Sequence, residues 1–277
     1  MPRTLGVLVW GAACLLCIHT AVAATTYYVS PSGNDTYAGT SPAQAWQTLS
    51  RAGLARLGSG DALLLQRNAT WLNDPLVLLG PSGATVGAYG DETLPRPRVM
   101  LPLGLTRGVE CVWLQAADGV TVQDLHVAGC GIGIRVSVAA GKPSGITVQR
   151  TAFLDIKTAE TVYNPANPAW ASAIIVDNDG GGAGTVINVS VSNCIGLRVN
   201  SFFNHQVHID GLTLDALTLS MCGGNCIALT DATDMLLSNT VFLRDTPQRL
   251  FLYGTTDVSP GLSKDTCTLA HPHVAAC

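Results

Sequence analysis

Apolar and polar residues alternate with the period of a β-strand in five short phrases between Gly119 and Phe242. The phrases read GVTVQDLHV, GITVQRTAF, VINVSVSNC, QVHIDGLTL and DMLLSNTVF, and they begin at Gly119, Gly145, Val186, Gln206 and Asp234. Each breaks at Gly, Asn or Asp. One short β-unit cannot bury its own apolar side, whereas stacked copies share a continuous core. The pattern therefore predicts an all-β solenoid.

Aligning the phrases on one inward position predicts a register for the stack. The anchors Val122, Val148, Val189, Ile209 and Leu237 follow one another at 26, 41, 20 and 28 residues. A further inward column is predicted at Val127, Phe153, Cys194, Leu214 and Phe242. The 41-residue interval contains an insertion, Thr161–Ala171, whose prolines exclude a central strand. This insertion is predicted to be a projecting loop, either beside a binding face or without function.

The chain divides into three predicted parts. Residues 1–24 read as a secretory signal peptide, because Arg3 precedes an apolar run and Ala21-Val22-Ala23 has the form of a cleavage site. Residues 25–258 are predicted as the solenoid, with an N-terminal cap region at 25–60 that includes a short helix, Trp46–Leu57. Residues 259–277 carry no repeat and are predicted as an irregular tail, natural or truncated.

Charge is scarce in this sequence. The chain is 47% hydrophobic and 12% charged, with a formal net charge of −4. No run of Lys or Arg is present, which argues against nucleic acid and anionic membranes as partners. A secreted monomer is the expectation.

Seven cysteines remain after the predicted signal peptide, and an oxidising compartment favours disulfides. Cys222 and Cys226 are spaced to close a tight loop, and Cys267 is placed to join Cys277, but the sequence proves neither pair. The odd count leaves one thiol over. Three sequons, beginning at Asn34, Asn68 and Asn188, predict a glycoprotein if the host glycosylates.

The N-terminal phrases YYVSPSGNDTYAGTSPAQAWQTL, GDALLLQRNATW and GATVGAYGDETLPRPRV resemble the opening of secreted right-handed parallel β-helix proteins of the pectate-lyase-like superfamily. The resemblance covers about residues 25–130 as ordered phrases and the later coils as a looser pattern. It implies a right-handed parallel β-helix with a short N-terminal cap helix. It also implies a carbohydrate-active protein, but no catalytic signature of the lyases, hydrolases or epimerases is recognisable here.

Candidate catalytic groups lie on the predicted outward side of the repeat. One outward column is predicted at Gln123, Gln149, Ser190, Asp210 and Ser238. His208 and Asp210 are two residues apart on one strand, so they are the predicted acid/base pair for chemistry on a sugar. Any solvated β-face also needs polar residues, and this structural alternative stays open.

Arg150 directly follows Gln149 of this column and is predicted to neutralise a uronate carboxylate or to act as a base. Gln123, Gln149 and Lys157 are the predicted substrate-binding residues. Asp177 and Asp179 stand before three glycines and are the predicted metal ligands, because oxygen ligands suit calcium. A glycine-rich turn with aspartates is the alternative, and the sequence requires no cofactor.

The predicted function is a secreted enzyme, a polysaccharide lyase or glycoside hydrolase, acting on an acidic polysaccharide. Two alternatives are kept. The first is a β-helix that binds glycans without turnover, and the second is a truncated relative that lacks the catalytic coils.

Overall fold

The computed structural model describes residues 23–101, 109–139, 141, 143–156, 171–178, 184–243, 250–252, 268–271 and 274–276. Their strands form three long sheets, A, B and C, in which neighbouring strands come from successive coils. Sheet A contains β1 (Thr26–Val29), β2 (Ala62–Gln66), β5 (Thr85–Tyr89), β8 (Thr121–Gln123), β11 (Ser144–Gln149), β14 (Thr185–Ser192), β17 (His208–Asp215) and β20 (Ala232–Ser238).

Sheets B and C complete each coil. Sheet B contains β3 (Thr70–Leu72), β6 (Arg98–Met100), β9 (His126–Ala128), β12 (Ala152–Leu154), β15 (Ile195–Leu197), β18 (Thr218–Ser220), β21 (Val241–Leu243), β23 (Thr268–His271) and β24 (Val274–Ala276). Sheet C contains β4 (Leu76–Leu79), β7 (Glu110–Ala117), β10 (Ile132–Val138), β13 (Ser172–Asn178), β16 (Ser201–His205), β19 (Ile227–Leu229) and β22 (Leu250–Leu252).

From β2 to β22 the chain passes through sheets A, B and C in turn, so each of these coils adds one strand to every sheet. The pairs are parallel until β24, which runs antiparallel to both β21 and β23. Parallel crossovers of this kind are right-handed. The predicted fold, a right-handed parallel β-helix, is confirmed.

Stacked apolar side chains fill the inside of the coils. Sheet B contributes one inward column, formed by Trp71, Val99, Val127, Phe153, Gly196, Leu219 and Phe242. Phe153 is 1% exposed, and its ring meets Phe202 edge-on at 5.7 Å. A Cβ at Gly196 would lie 2.7 Å from the Phe202 ring, so only glycine fits there. Burying a phenylalanine in such a core contributes about 1.5–3 kcal/mol.

A column of left-handed residues turns the chain from sheet A into sheet B. Its members are Asp124, Arg150, Asn193, Ala216 and Asn239, with φ between 47° and 58°. The backbone N–H of each of the first four donates to a carbonyl in the next coil, as in Asp124 N–H to Gln149 O at 3.3 Å. Left-handed backbone costs a residue other than glycine about 1–2 kcal/mol, and these hydrogen bonds offset part of that cost.

The predicted register is wrong in two coils. Val122, Val148 and Leu237 do share a column, but its remaining members are Val191 and Leu214. The first error places Val189 where the structure has Val191. A shift of two residues keeps the same side chains inward, so the alternation cannot reveal it. The second arises at Gly211, whose φ of 82° interrupts the alternation, so that Ile209 and Leu212 both point inward. The predicted inward column through Phe153 is corrected likewise, with Gly196 and Leu219 in place of Cys194 and Leu214.

The N-terminal end is capped, as predicted, although the helix is shorter than expected. A 3-10 helix, Pro42–Gln44, is followed by α1 (Leu49–Ala52). Trp46 pairs with Val29 at the edge of sheet A and stacks on Tyr27 at 5.0 Å. The Thr48 side chain accepts a hydrogen bond from Arg51 N–H and so caps α1. The first sheet edge is thereby covered.

Two disulfides are present in the described part of the chain. The predicted Cys222–Cys226 bond closes a short loop, and Cys111–Cys130 joins successive coils. Cys194 is a buried free thiol. The predicted Cys267–Cys277 pair and the signal peptide up to residue 22 lie outside the described residues. Among the helices of the described ranges, none has the length and apolarity to span a bilayer.

Candidate functional site

Three of the predicted site residues meet at the corner between sheets A and B. Arg150 Nε and Nη2 donate to the two carboxylate oxygens of Asp124, at 3.0 and 2.9 Å. Nη2 also donates to Gln123 Oε1 at 2.9 Å, and Gln149 Nε2 donates to the same oxygen at 2.8 Å. The contacts form because equivalent residues of successive coils lie about 4.8 Å apart. The structure thus brings Gln123, Gln149 and Arg150 together.

The segment that joins β5 to β6, residues 90–97, forms the other wall of a cleft beside this corner. The cleft has a volume of about 730 Å³, which is within the range of small-molecule sites. Its charged lining residues are Arg67, Glu92, Arg96, Asp124 and Arg150. We call this site the arginine cleft.

Positive charge exceeds negative charge in the arginine cleft. Arg150 occupies both carboxylate oxygens of Asp124, and that hydrogen bonding raises the pKa of Arg150 above its usual value. Arg67 Nη2 is 3.9 Å from Asp124, and its Nη1 donates to Leu94 O at 3.4 Å. Within the described residues, Arg96 has no carboxylate at ion-pair distance. Three guanidinium groups against two carboxylates leave a net cationic cleft.

His208 and Asp210, the predicted acid/base pair, lie elsewhere. Asp210 is in register with Ile187, and Ile187 is in register with Ser144 at the start of β11. Arg150 comes after the end of that strand, so roughly 20 Å of strand separates the two positions at about 3.3 Å per residue. The outward column through Gln123 and Gln149 continues instead through Ser192, Asp215 and Ser238.

The two predicted catalytic residues have partners of their own. His208 Nδ1 is 2.8 Å from Asp231 Oδ1, and Asp210 Oδ1 accepts a hydrogen bond from Thr233 Oγ1 at 2.9 Å. Both pairs join β17 to the next coil. The structure does not bring His208 or Asp210 to the arginine cleft.

Asp177, a predicted calcium ligand, lies on the outer face of sheet C. Its Oδ2 accepts from Arg135 Nε at 2.8 Å, and Arg135 Nη1 donates to Glu110 Oε1 at 3.1 Å. Burial works to lower the pKa of Arg135, but Asp177 and Glu110 outweigh it and raise that pKa. The guanidinium also stacks over Trp113, 4.7 Å from the ring centroid. One carboxylate oxygen of Asp177 is therefore paired with an arginine in this structure.

The other predicted metal ligand, Asp179, and the predicted substrate-binding residue Lys157 lie outside the described residues. No cluster of three or more metal-ligating side chains occurs in the described ranges. Calcium binding stays a prediction.

Sequence reasoning missed Arg67 and Arg96. Arg96 belongs to the phrase LPRPRV, in which two arginines alternate with two prolines. That concentration of charge in a chain with few charges was the available signal. Arg67 carries no comparable signal, since it is one arginine at the end of a strand, and only the coil geometry places it opposite Asp124.

Comparison with known proteins supports the fold. Neither a protein-family model nor a curated protein sequence matches the chain. Among solved structures, a GH136 lacto-N-biosidase from Eubacterium ramulus is similar at a TM-score of 0.58 and 15% identity, covering 83% of this chain and 55% of that enzyme. A rhamnogalacturonan lyase aligns at 12% identity over 85% of this chain and 87% of its own, but a TM-score of 0.23 is too low to support a shared fold.

The chain therefore spans about half the length of the lacto-N-biosidase it resembles. At 15% sequence identity, the structural similarity supports a shared fold and does not extend to activity. Three parallel sheets wound from successive coils, together with this likeness, define the chain as a right-handed parallel β-helix protein.

Proposed function

We propose that this protein is a secreted, carbohydrate-active β-helix protein that recognises an acidic polysaccharide in the arginine cleft. The observation that carries the proposal is the convergence of Arg67, Arg96 and Arg150 on one cleft. Guanidinium groups bind carboxylates and sulfates through charge-assisted hydrogen bonds that are about twice as strong as neutral ones. Two disulfides suit an oxidising, extracellular compartment.

Recognition of the saccharide uses both charge and hydrogen bonding. Arg96 is the guanidinium best placed to receive an anionic group, because no carboxylate of the described residues neutralises it. Arg150 is held in place by Asp124, and Gln123 and Gln149 supply amides beside it. A uronate-containing glycan offers both a carboxylate and neutral hydroxyls. A neutral glycan would leave the excess positive charge uncompensated, which disfavours it.

Turnover as a lyase or glycoside hydrolase is the second candidate function. It is favoured by Glu110 and Asp177, two carboxylates that share the Arg135 guanidinium next to the Trp113 ring. Glycoside hydrolysis uses a pair of carboxyl groups across the scissile bond. The predicted pair His208 and Asp210 receives less support, since each binds a residue of the following coil far from the arginine cleft.

Calorimetric titration with pectin-, alginate- and chondroitin-type oligosaccharides tests the recognition proposal. The wild-type protein should bind at least one acidic oligomer, and Arg67→Ala/Arg96→Ala should weaken binding roughly 100-fold, because charged hydrogen bonds contribute about 1.5–3 kcal/mol each. Arg198→Ala, which removes a surface guanidinium from another corner of the coil, is the matched control and should bind like the wild type. Equal loss in both variants would refute a specific site.

Product analysis on the same oligomers separates recognition from turnover. Release of reducing ends or of unsaturated uronates, abolished by Glu110→Gln, would establish the enzyme. Binding without any product would leave recognition as the function.

A further inference from the structure

One histidine lies next to the arginine cleft and takes no part in the contacts described so far. His126 begins β9, two residues after Asp124, and its backbone N–H donates to Pro97 O at 2.9 Å. Pro97 directly follows Arg96, so this hydrogen bond joins His126 to the cleft wall that carries Arg96. His126 therefore lies beside the segment that forms one wall of the cleft.

The side chain of His126 is in positively charged surroundings. In sheet B its neighbours in register are Arg98 in the preceding coil and Ala152 in the following one. Arg96 adds a second positive charge, while Asp124, two residues before His126, is bound by Arg150. Nε2 is buried and has no hydrogen-bond partner in the described part of the chain. Burial first, and then Arg98 and Arg96, lower the pKa of His126.

We propose that His126 couples anion binding in the arginine cleft to proton uptake, so that the cleft holds an acidic saccharide more tightly at mildly acidic pH. This inference rests on the proposed function. An anion on Arg96 offsets part of the positive charge near the imidazole, which makes the imidazolium form easier to reach. Reciprocity then requires that the imidazolium favours the anion by the same factor.

The sign of the effect follows from the protonation states. Above the ordinary histidine pKa of about 6.5, His126 is neutral in the free and in the bound protein, and affinity does not change with pH. As pH falls below that value, the bound protein takes up the proton before the free protein does. Affinity therefore rises with acidity, by roughly three- to tenfold for two charges several ångström apart near a protein surface.

Calorimetry across pH tests the coupling. The probe is a chondroitin-sulfate oligosaccharide, whose sulfate groups keep their charge throughout the range. Its affinity for the wild-type protein should rise roughly three- to tenfold between about pH 8 and about pH 5. His126→Gln should bind like the wild type at about pH 8 and lose the pH dependence. His208→Gln, which changes an imidazole at the distant end of sheet A, should keep it.

Proton uptake gives a readout that needs no variant. Titrations in buffers of different ionisation enthalpy should show net uptake of a fraction of a proton on binding near pH 6, and His126→Gln, or His126→Asn if the first variant does not fold, should abolish it. Binding that is independent of pH, or a pH dependence that survives in these variants, would overturn the inference but leave the proposed function standing. Absence of binding at every pH by all of the pectin-, alginate- and chondroitin-type oligomers would instead refute the proposed function.

Discussion

Two arginine–aspartate pairs with the same geometry occupy two different corners of the coil. Arg150 binds Asp124 between sheets A and B, and Arg198 binds Asp155 between sheets B and C. In both pairs the arginine lies one coil beyond the aspartate, and all four residues have left-handed backbones, with φ from 48° to 58°. Each aspartate uses both oxygens, and each hydrogen bond raises the pKa of its arginine.

The surroundings of the two pairs differ. The neighbours of Arg150 are Arg67, Arg96 and the wall formed by residues 90–97. The corner column that contains Arg198 continues to Gly129 on one side and Met221 on the other. The repeated turn therefore supplies the ion pair, and the non-repeated N-terminal segment supplies the cleft. The Arg198–Asp155 pair is therefore interpreted as structural, whereas the Arg150–Asp124 pair, with additional arginines beside it, belongs to the candidate site.

The largest expected effect concerns the core residue that lies between the two pairs in the sequence. Phe153 is fully buried in β12, between Arg150 and Asp155 in sequence. Phe153→Ala should lower the free energy of unfolding by about 3–5 kcal/mol through lost burial and a cavity. Urea unfolding measures this change. Leu72→Ala, at a side chain 62% exposed, is the control and should change stability by less than about 0.5 kcal/mol. A similar effect of both variants would contradict the assigned core.

Removing one arginine from each pair separates site from structure. Arg150→Ala should weaken binding of an acidic oligosaccharide roughly tenfold, because it removes charged donors from the cleft. Arg198→Ala should leave that affinity unchanged. Calorimetric titration of both variants, after their folding is checked by circular dichroism, measures the difference. Equal affinities for the two variants would show that the cleft does not use Arg150.

Acid should lower the stability of the coil that contains Arg198, because β16 of this coil contains the buried His205. Burial lowers the pKa of His205, whose Nε2 accepts from Thr230 N–H at 3.1 Å and whose Nδ1 is 2.8 Å from Val207 O. The unfolded chain then binds a proton that the folded chain excludes, so stability falls as pH drops below about 6.5, by at most about 1.4 kcal/mol per pH unit.

Urea unfolding at several pH values measures this loss, to which His126 contributes in the same direction. His205→Gln should reduce the slope, because an amide does not titrate. A slope unaffected by this substitution would assign the acid sensitivity to other groups.

The smallest expected effect concerns Cys194, which directly follows Asn193 in the corner between sheets A and B. Cys194 is buried beside β15, and burial raises the pKa of its thiol to about 11. Thiolate is the reactive form, so iodoacetamide should label Cys194 slowly in the folded protein and quickly in urea. Mass spectrometry of the Cys194 peptide follows the reaction. Rapid labelling of the folded protein would place this corner in solvent.

The fold was largely predictable because its information is local. The period-two phrases and the glycine, asparagine and aspartate breaks predict stacked coils, and burial of Val122, Val148 and Phe153 confirms the inward face. The register of the later coils was not predictable. A two-residue shift preserves alternation, and the left-handed turn at Gly211 changes which side chains point inward without leaving a distinct mark in the phrase.

The candidate site was predictable only in part. Gln123, Gln149 and Arg150 follow from adjacent phrases, since neighbouring coils align residues of the same phrase position. Asp210 was misplaced with the register, and Asp215 occupies the position predicted for it. Arg67 and Arg96 belong to no phrase, so no periodicity could connect them with Arg150.

The sequence by itself determined that the chain winds into coils, because a repeating apolar side must find its own copies to be buried. The tertiary structure alone decided where positive charge gathers, because residues distant in the chain become neighbours only when coils stack and the segment 90–97 lies against them. Charges act through space rather than along the chain, and the arginine cleft exists only once that spatial arrangement is fixed.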